Sequence, residues 1–199
     1  MFDFKAIYQL KNDVVELIPL QITHLDALFA VSNDKNIWTH FTENGYGRAN
    51  FEIYFKNALQ KRENHLHYTF AIRDVRTNQL AGMTRLYDLD NQLRNVKIGH
   101  TWIGKSFQGT GLNKNAKYLL FEFLFDQLKM QRIGFGASAA NTVSIKAMQS
   151  VGCQIEGRLR SFLPQEGTNE RIDIVLLSIL KKEWEVAVKQ RLYKKINPQ

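Results

Sequence analysis

Apolar residues along this chain recur first at a spacing of two, then at three to four, and each change of period marks an element. Residues 14–20 form a β-branched stretch with Pro19 near its end, which predicts a strand at an edge or a strand end. Thr23 and Asp26 beside Leu25, Leu28 and Phe29 predict a short capped helix, closed by a polar break at 33–36. Across 48–61, Phe51, Tyr54, Phe55, Ala58 and Leu59 keep helical spacing. Tyr68, Phe70 and Ile72 alternate within 67–73, and 80–86 follows the turn at 76–78, so the two predict an antiparallel hairpin. Val96, Ile98, His100 and Trp102 carry the period of two into another strand. Leu112, Ala116, Leu119, Leu120, Phe123 and Leu124 predict a helix to Leu128, and Ile133, Phe135 and Ala137 a short strand. Asn141 is a good N-cap for a helix reaching Val151, with Gly152 as the residue that ends it. Strands follow at 153–163 and 171–180, then an amphipathic helix with Trp184, Val188, Leu192 and Ile196 on one face. This order predicts a single domain over 1–199 of α+β class, with a mixed, largely antiparallel sheet and helices on both faces. A basic C-terminal helix spans about 181–195.

The 199 residues suffice to bury a core without staples, and one cysteine, Cys153, excludes an intrachain disulfide and a cysteine-based zinc site. A reducing, cytoplasmic setting fits that usage. No basic segment precedes an apolar run at the start, and no run approaches the ~20 apolar residues of a spanning helix, so neither secretion nor membrane insertion is expected. The net charge of +8 invites a nucleic-acid partner. Its distribution argues otherwise: six basic and two acidic residues lie in the last nineteen, so half of the excess belongs to one solvated helix face, and nucleic acid is not favoured.

Two glycine-bearing loops compete as phosphate sites. Residues 99–106 fit the nucleotide-binding pattern G-x-x-x-x-G-K-[ST] by letter, but His100, Thr101, Trp102 and Ile103 are strand material, and the helix it requires would carry Gly109 and Gly111 in its first turns. The second loop, Gln108, Gly109, Thr110, Gly111, Leu112 and Asn113, lies between a strand and a strongly periodic helix. There, glycines let the chain approach a ligand and the helix adds its positive end. A plain strand-to-helix turn would use the same residues.

Taken in order, Ile98-Gly99-His100-Thr101-Trp102, the loop 108–113, Asn141-Thr142-Val143-Ser144 and the run Val151 to Arg160 resemble the GNAT superfamily of acetyl-CoA-dependent N-acetyltransferases. The Asn-x-x-Ser spacing, the Glu-Gly-x-Leu-Arg run and Glu183-Trp184 are similar to the branch that acetylates ribosomal-protein N-termini. The resemblance implies a sheet splayed at the cofactor slot and acetyl-CoA as co-substrate, with no metal. It implies that backbone amides of Gln108, Gly109, Thr110, Gly111, Leu112 and Asn113 take the pyrophosphate, that Ile103 lines the pantetheine arm, and that Asn141 and Lys146 complete the slot. Asn113 departs from the small residue usual there.

The resemblance also implies acetylation of a primary amine, either a protein N-terminal α-amino group or a small amine, by direct transfer in a ternary complex. The glutamate that serves many relatives as base is replaced by Lys97, which leaves Asp88, His100 and Glu156, with His100 first on pKa grounds. The tyrosine that protonates the leaving thiolate falls at Met148, and Ser144 takes that role by resemblance to the ribosomal branch. Lys97 and Met148 keep open an alternative: a coenzyme-A-binding regulatory protein with impaired or lost catalysis. Trp38, His40, Phe41 and Tyr46 are candidates for an acceptor pocket or for helix packing. A homodimer is compatible with all of this.

Overall fold

The computed structural model describes residues 1–165 and 169–197. Its one sheet has eight strands in the order β1 (Leu10–Lys11), β2 (Val15–Pro19), β3 (His67–Asp74), β4 (Gln79–Asp90), β5 (Asn95–Ile103), β6 (Arg132–Ser138), β8 (Arg171–Leu180), β7 (Gln154–Pro164). Neighbours are antiparallel except β5 and β6, which run parallel. That pair needs a crossover, and the long segment between the two strands supplies a helix for it.

Helices α1 (Leu25–Ser32), α2 (Lys35–Trp38) and α3 (Arg48–Glu63) cover one face. There Trp38, Phe51, Tyr54 and Phe55 pack against Ala71, Met83 and Trp102. The other face carries α4 (Leu112–Phe121), α5 (Thr142–Ser150), α6 (Lys181–Glu183) and α7 (Lys189–Ile196). Tyr68, Phe70, Ile98, Ile133 and Phe135 meet Leu120, Leu124 and Trp184 in this larger core. The apolar face expected of the C-terminal helix is the buried one: Trp184, Val188 and Leu192 are buried.

Three details depart from the sequence expectation. Thr23 does not cap α1; it lies within a preceding 3-10 turn, Ile22–His24, where His24 Nδ1 accepts the Gln21 N–H at 3.2 Å. The helix expected to reach Leu128 changes winding into a π-helical turn, Glu122–Gln127, which spacing alone does not reveal. The third lies in β5. Met83 faces Trp102 and Arg85 faces Gly99, so Thr84 stands opposite two residues, His100 and Thr101. His100 takes φ 48°, a left-handed conformation that inserts one residue and reverses the side chains beyond it. Val96 and Ile98 therefore point into the larger core and Trp102 into the other, although their spacing puts all three on one face.

Candidate active site at a parting of two strands

The parallel strands β5 and β6 are paired only at Asn95–Arg132, Val96–Ile133 and Lys97–Gly134. Beyond Lys97, β5 follows β4 to Ile103, while β6 follows β8 to Ser138. The sheet opens between them and exposes an unpaired edge of β5 from the bulge onward. Being parallel, both strands send their C-terminal ends to the same wide mouth, where the loop before α4 and the start of α5 face each other.

On the β5 side, the chain leaves Ile103 through Gly104 and a 3-10 turn, Lys105–Phe107. Gln108 Nε2 donates to the Ile103 carbonyl at 2.9 Å and the Gln108 N–H to Lys105, so this glutamine holds the turn. Gly109 and Gly111 have φ of 77° and 85°, and Thr110 Oγ1 donates to the Phe107 carbonyl at 2.7 Å. The N–H groups of Gly109, Thr110 and Gly111 make no hydrogen bond among the described residues. Gly111 is the N-cap of α4 and offers no side-chain cap, and the first N–H groups of a helix have no acceptor behind them. A β-carbon at Gly109 would meet nothing within 4 Å. Several aligned donors and the positive helix end thus point into open space beside a free strand edge. Such an array suits an anion joined to an extended polar chain. Asn113 Oδ1 is buried beside it without a partner.

On the β6 side, Asn141 Oδ1 accepts the Ser144 N–H at 3.0 Å and so caps α5. This fixes Ser144 in the first turn, half-buried, with no hydrogen bond from its Oγ among the described residues. Lys146 is exposed on the same helix. Met148 is buried and has no proton to give.

The bulge places His100 on the α3 side of the sheet, against His67 and Tyr87 at 5.6 and 5.7 Å between ring centres. Burial first, then the Arg85 guanidinium, holds its pKa down at about 2, so His100 is neutral at pH 7 and too weak a base to retain a proton in the free protein. Lys97 pairs with exposed Asp88 at 2.9 Å. Glu156 is bound by Arg132 and accepts from Ser178 Oγ at 2.7 Å, and Arg132 holds its carboxyl below the usual range. Its partner is Arg132 rather than Arg158 or Arg160; Arg158 pairs with Asp173. A groove of about 280 Å³, bordered by Asp88, Lys97, Gly134, Arg132 and Glu156, opens at the closed end of the split.

The competing loop at 99–106 is excluded by the same geometry. Residues from Gly99 to Ile103 belong to β5, and Lys105–Phe107 is one short turn, so no phosphate cradle forms there. Trp38 is core, its Nε1 donating to the Ser32 carbonyl at 3.0 Å, and Phe41 packs on it, whereas His40 and Tyr46 are exposed. The sequence reading missed Arg85. The available signal was an arginine between Thr84 and Leu86 in the middle of an apolar strand, where an unpaired charge is costly.

A sheet parted in this way, with a glycine turn and an uncapped helix at the wide end, is the framework of a protein that binds an anion-ended, extended ligand along a free strand edge. Residues 15–154 match the acetyltransferase (GNAT) domain family, and the chain belongs to that family and is an N-acetyltransferase. It is 35% identical over 106 residues to the protein named "Putative ribosomal N-acetyltransferase YdaF" of Bacillus subtilis (strain 168), a match spanning 53% of this chain and 56% of that protein. The crystal structure of a GCN5-related N-acetyltransferase from Brucella melitensis superposes with a TM-score of 0.88 at 25% identity, over 98% of this chain and 88% of that one. Spermidine N-acetyltransferase from Vibrio cholerae, solved with CoA and spermine, shares the fold at 18% identity and a TM-score of 0.71, over 87% of this chain and 99% of its own. Among the described residues no cluster could hold a metal ion, and no helix is long and apolar enough to cross a membrane.

Proposed function

We propose that this chain transfers the acetyl group of acetyl-CoA directly to a primary amine while both are bound at the β5–β6 split. The observation that carries this reading is the coincidence of a free strand edge with unbonded amides at one mouth. Gly109, Thr110, Gly111, Leu112 and Asn113 present N–H groups to the pyrophosphate, Ile103 and the β5 edge run along the pantetheine arm, and Lys146 adds positive charge. Gln108 supports the loop through its side chain. When bound, acetyl-CoA supplies the activated thioester. An amide of β5 beside the bulge is preorganised to receive negative charge on the carbonyl oxygen. Ser144 Oγ, held by the Asn141 cap, gives a proton to the departing sulfur. An amine of pKa ~10 must lose a proton first, about 4 kcal/mol at pH 7. His100, on the strand that holds the thioester, accepts it; burial weighs most on its pKa and Arg85 next, so the bound substrates have to relieve both.

Lys97 in its ion pair and the buried Met148 favour a second reading, a coenzyme-A-binding regulator without turnover. Thermal unfolding with acetyl-CoA, with Mg-ATP as control, tests the shared part: a ligand at 100 times its Kd adds about 2.7 kcal/mol and raises the midpoint by several degrees. A rise with acetyl-CoA together with thiol release on adding amines supports transfer. A rise without release across an amine panel leaves the regulator, and a rise with Mg-ATP alone overturns both.

A further inference from the structure

On the α3 side of the sheet a second group of polar side chains is gathered, and it is short of acceptors. Arg85 of β4 is fully buried, and its Nε, Nη1 and Nη2 have no hydrogen-bond partner among the described residues. The guanidinium lies 4.5 Å over the Tyr54 ring. Its nearest carboxylate oxygen, Glu43 Oε2, stands 3.7 Å from Nη1, beyond hydrogen-bonding reach, while Lys61 holds Glu43 Oε1 at 2.9 Å. Trp102 Nε1, the Tyr54 hydroxyl, His67 Nδ1 and Thr69 Oγ1 are buried without hydrogen bonds around the same centre. The Tyr54 hydroxyl comes near enough to Trp102 and Arg85 for both to lower its pKa against the larger effect of burial. Neither contact closes to full hydrogen-bond geometry.

A purely structural arginine saturates its fork, because buried donors without acceptors weaken a fold. Here the three guanidinium nitrogens, an indole N–H and a hydroxyl are gathered around the Tyr54 ring without acceptors. The charges agree: Arg85 and Lys61 share one carboxylate, and the neighbouring imidazoles of His67 and His100 are neutral, held at about 4 and about 2 by burial and by Arg85. The cluster therefore keeps one uncompensated positive charge, which a planar anion would satisfy in bidentate fashion. Its position ties it to the reaction. Arg85 faces Gly99 across β4 and β5, one strand spacing of ~4.8 Å from the bulge. Tyr54 and Trp102 are themselves buried beside it, and the short step from Arg85 to the bulge matches the short span between the carboxylate and the nitrogen of one amino acid.

We infer that this cluster binds the carboxylate of the acetyl acceptor, so that the amine acetylated is that of a free amino acid, its acid gripped by Arg85 and its nitrogen presented at the β5 bulge. The inference rests on the transfer reading above. The ammonium loses one proton, to His100; the amine nitrogen then bonds to the acetyl carbon as the carbon–sulfur bond breaks, Ser144 Oγ gives its proton to the thiolate, and the second proton of the nitrogen restores the serine hydroxyl. Pairing Arg85 with the acid removes one influence that depresses His100, the larger one being its burial, so the acceptor itself helps to prepare the base.

The test measures thiol release from acetyl-CoA by the full chain with L-amino acids, with the matching amino-acid amides, and with a peptide amide beginning with Asp. The parent is compared with Arg85→Gln and Arg85→Lys, whose folding is checked by circular dichroism. The acids should exceed their amides by about 100-fold or more in kcat/KM, Arg85→Gln should erase that ratio, and Arg85→Lys should restore part of it. Acetyl-CoA should still raise the unfolding midpoint of both variants. Equal turnover of acids and amides, an undiminished ratio in Arg85→Gln, or turnover of the peptide without the free acids overturns the inference. Calorimetry with the same amino acids and no acetyl-CoA separates the two levels: acid-selective heat lost in Arg85→Gln supports the carboxylate site even if transfer fails, and its absence overturns the site.

Discussion

Lys117 shows how much chemistry a single buried side chain carries. Its Nζ donates to Thr101 Oγ1 at 3.0 Å, which meets Thr84 Oγ1 at 2.8 Å, so the lysine braces the bulged stretch of β5 from the α4 side. It is buried, and that burial lowers its pKa to about 8; the Cys153 thiol nearby is pushed up to about 12 by its own burial. Above pH 10.5 the lysine is neutral in both folded and unfolded chains; as pH falls from there to about 8, only the unfolded chain gains the proton, and stability falls. Lys117→Met should therefore be more stable than the parent at pH 7 by roughly 2–3 kcal/mol. Urea titrations should show that gap closing between pH 8 and 10.5, and a constant gap would contradict the depressed pKa. Cys153 should give no reaction with an exposed-thiol reagent until the protein is unfolded. At this scale the sequence was legible where a residue's local role decides: Asn141 and Gly152 stand at their caps. It misled where one inserted residue does. His100 and Trp102 keep a spacing of two through the bulge, so periodicity places Trp102 with Val96 and Ile98, while the φ of His100 sends it into the other core.

Elements locate the site by what they leave unpaired or rigidly fix. The first turn of α5 is fixed by Asn141, and Ser144→Ala should lower kcat by up to ~100-fold while leaving the acetyl-CoA shift intact, as loss of a general acid requires. A parallel loss of acetyl-CoA binding would make Ser144 a cofactor contact instead. The far end of α5 is just as constrained: Gly152 has φ 107°, and a β-carbon there would lie 2.6 Å from Val188 Cγ1. Gly152→Ala must strain the backbone and push the C-terminal helical segment off α5, so ~2–4 kcal/mol of stability should be lost. Differential scanning calorimetry should record a fall of roughly 5–10 °C in Tm. Strand and helix identities were readable from period and caps because those signals are local. The length over which β5 and β6 stay paired was not, because it depends on which partner each strand follows, β4 or β8, and the split at Lys97 is a tertiary outcome.

At the scale of the whole molecule, net charge separates two ways of being basic. Half of the +8 lies on the C-terminal helical segment, yet much of that charge is tied into structure. Lys189 bonds Asp126 at 2.7 Å and reaches Glu122, Lys195 donates to the Ser150 carbonyl at 3.0 Å, and Lys181 pairs with Glu185. This segment lies along the later turns of α4, where Trp184 and Tyr193 pack on Tyr118, away from the Gly111 end that faces the split. Removing it would unmake the core, since Trp184, Val188 and Leu192 are buried there. The charges placed to attract a polyanionic coenzyme are the exposed Lys105 and Lys114 around the glycine turn and Lys146 on α5. Screening weakens each of them with a Debye length of ~8 Å at physiological salt, so acetyl-CoA affinity should fall as salt rises. Lys114→Glu with Lys146→Glu should weaken binding at low salt and flatten that dependence, whereas Arg191→Glu with Lys194→Glu should change neither. Titrations of both double variants between 20 and 500 mM NaCl decide the matter: an effect confined to the second pair would place the coenzyme against the C-terminal helix and away from the split.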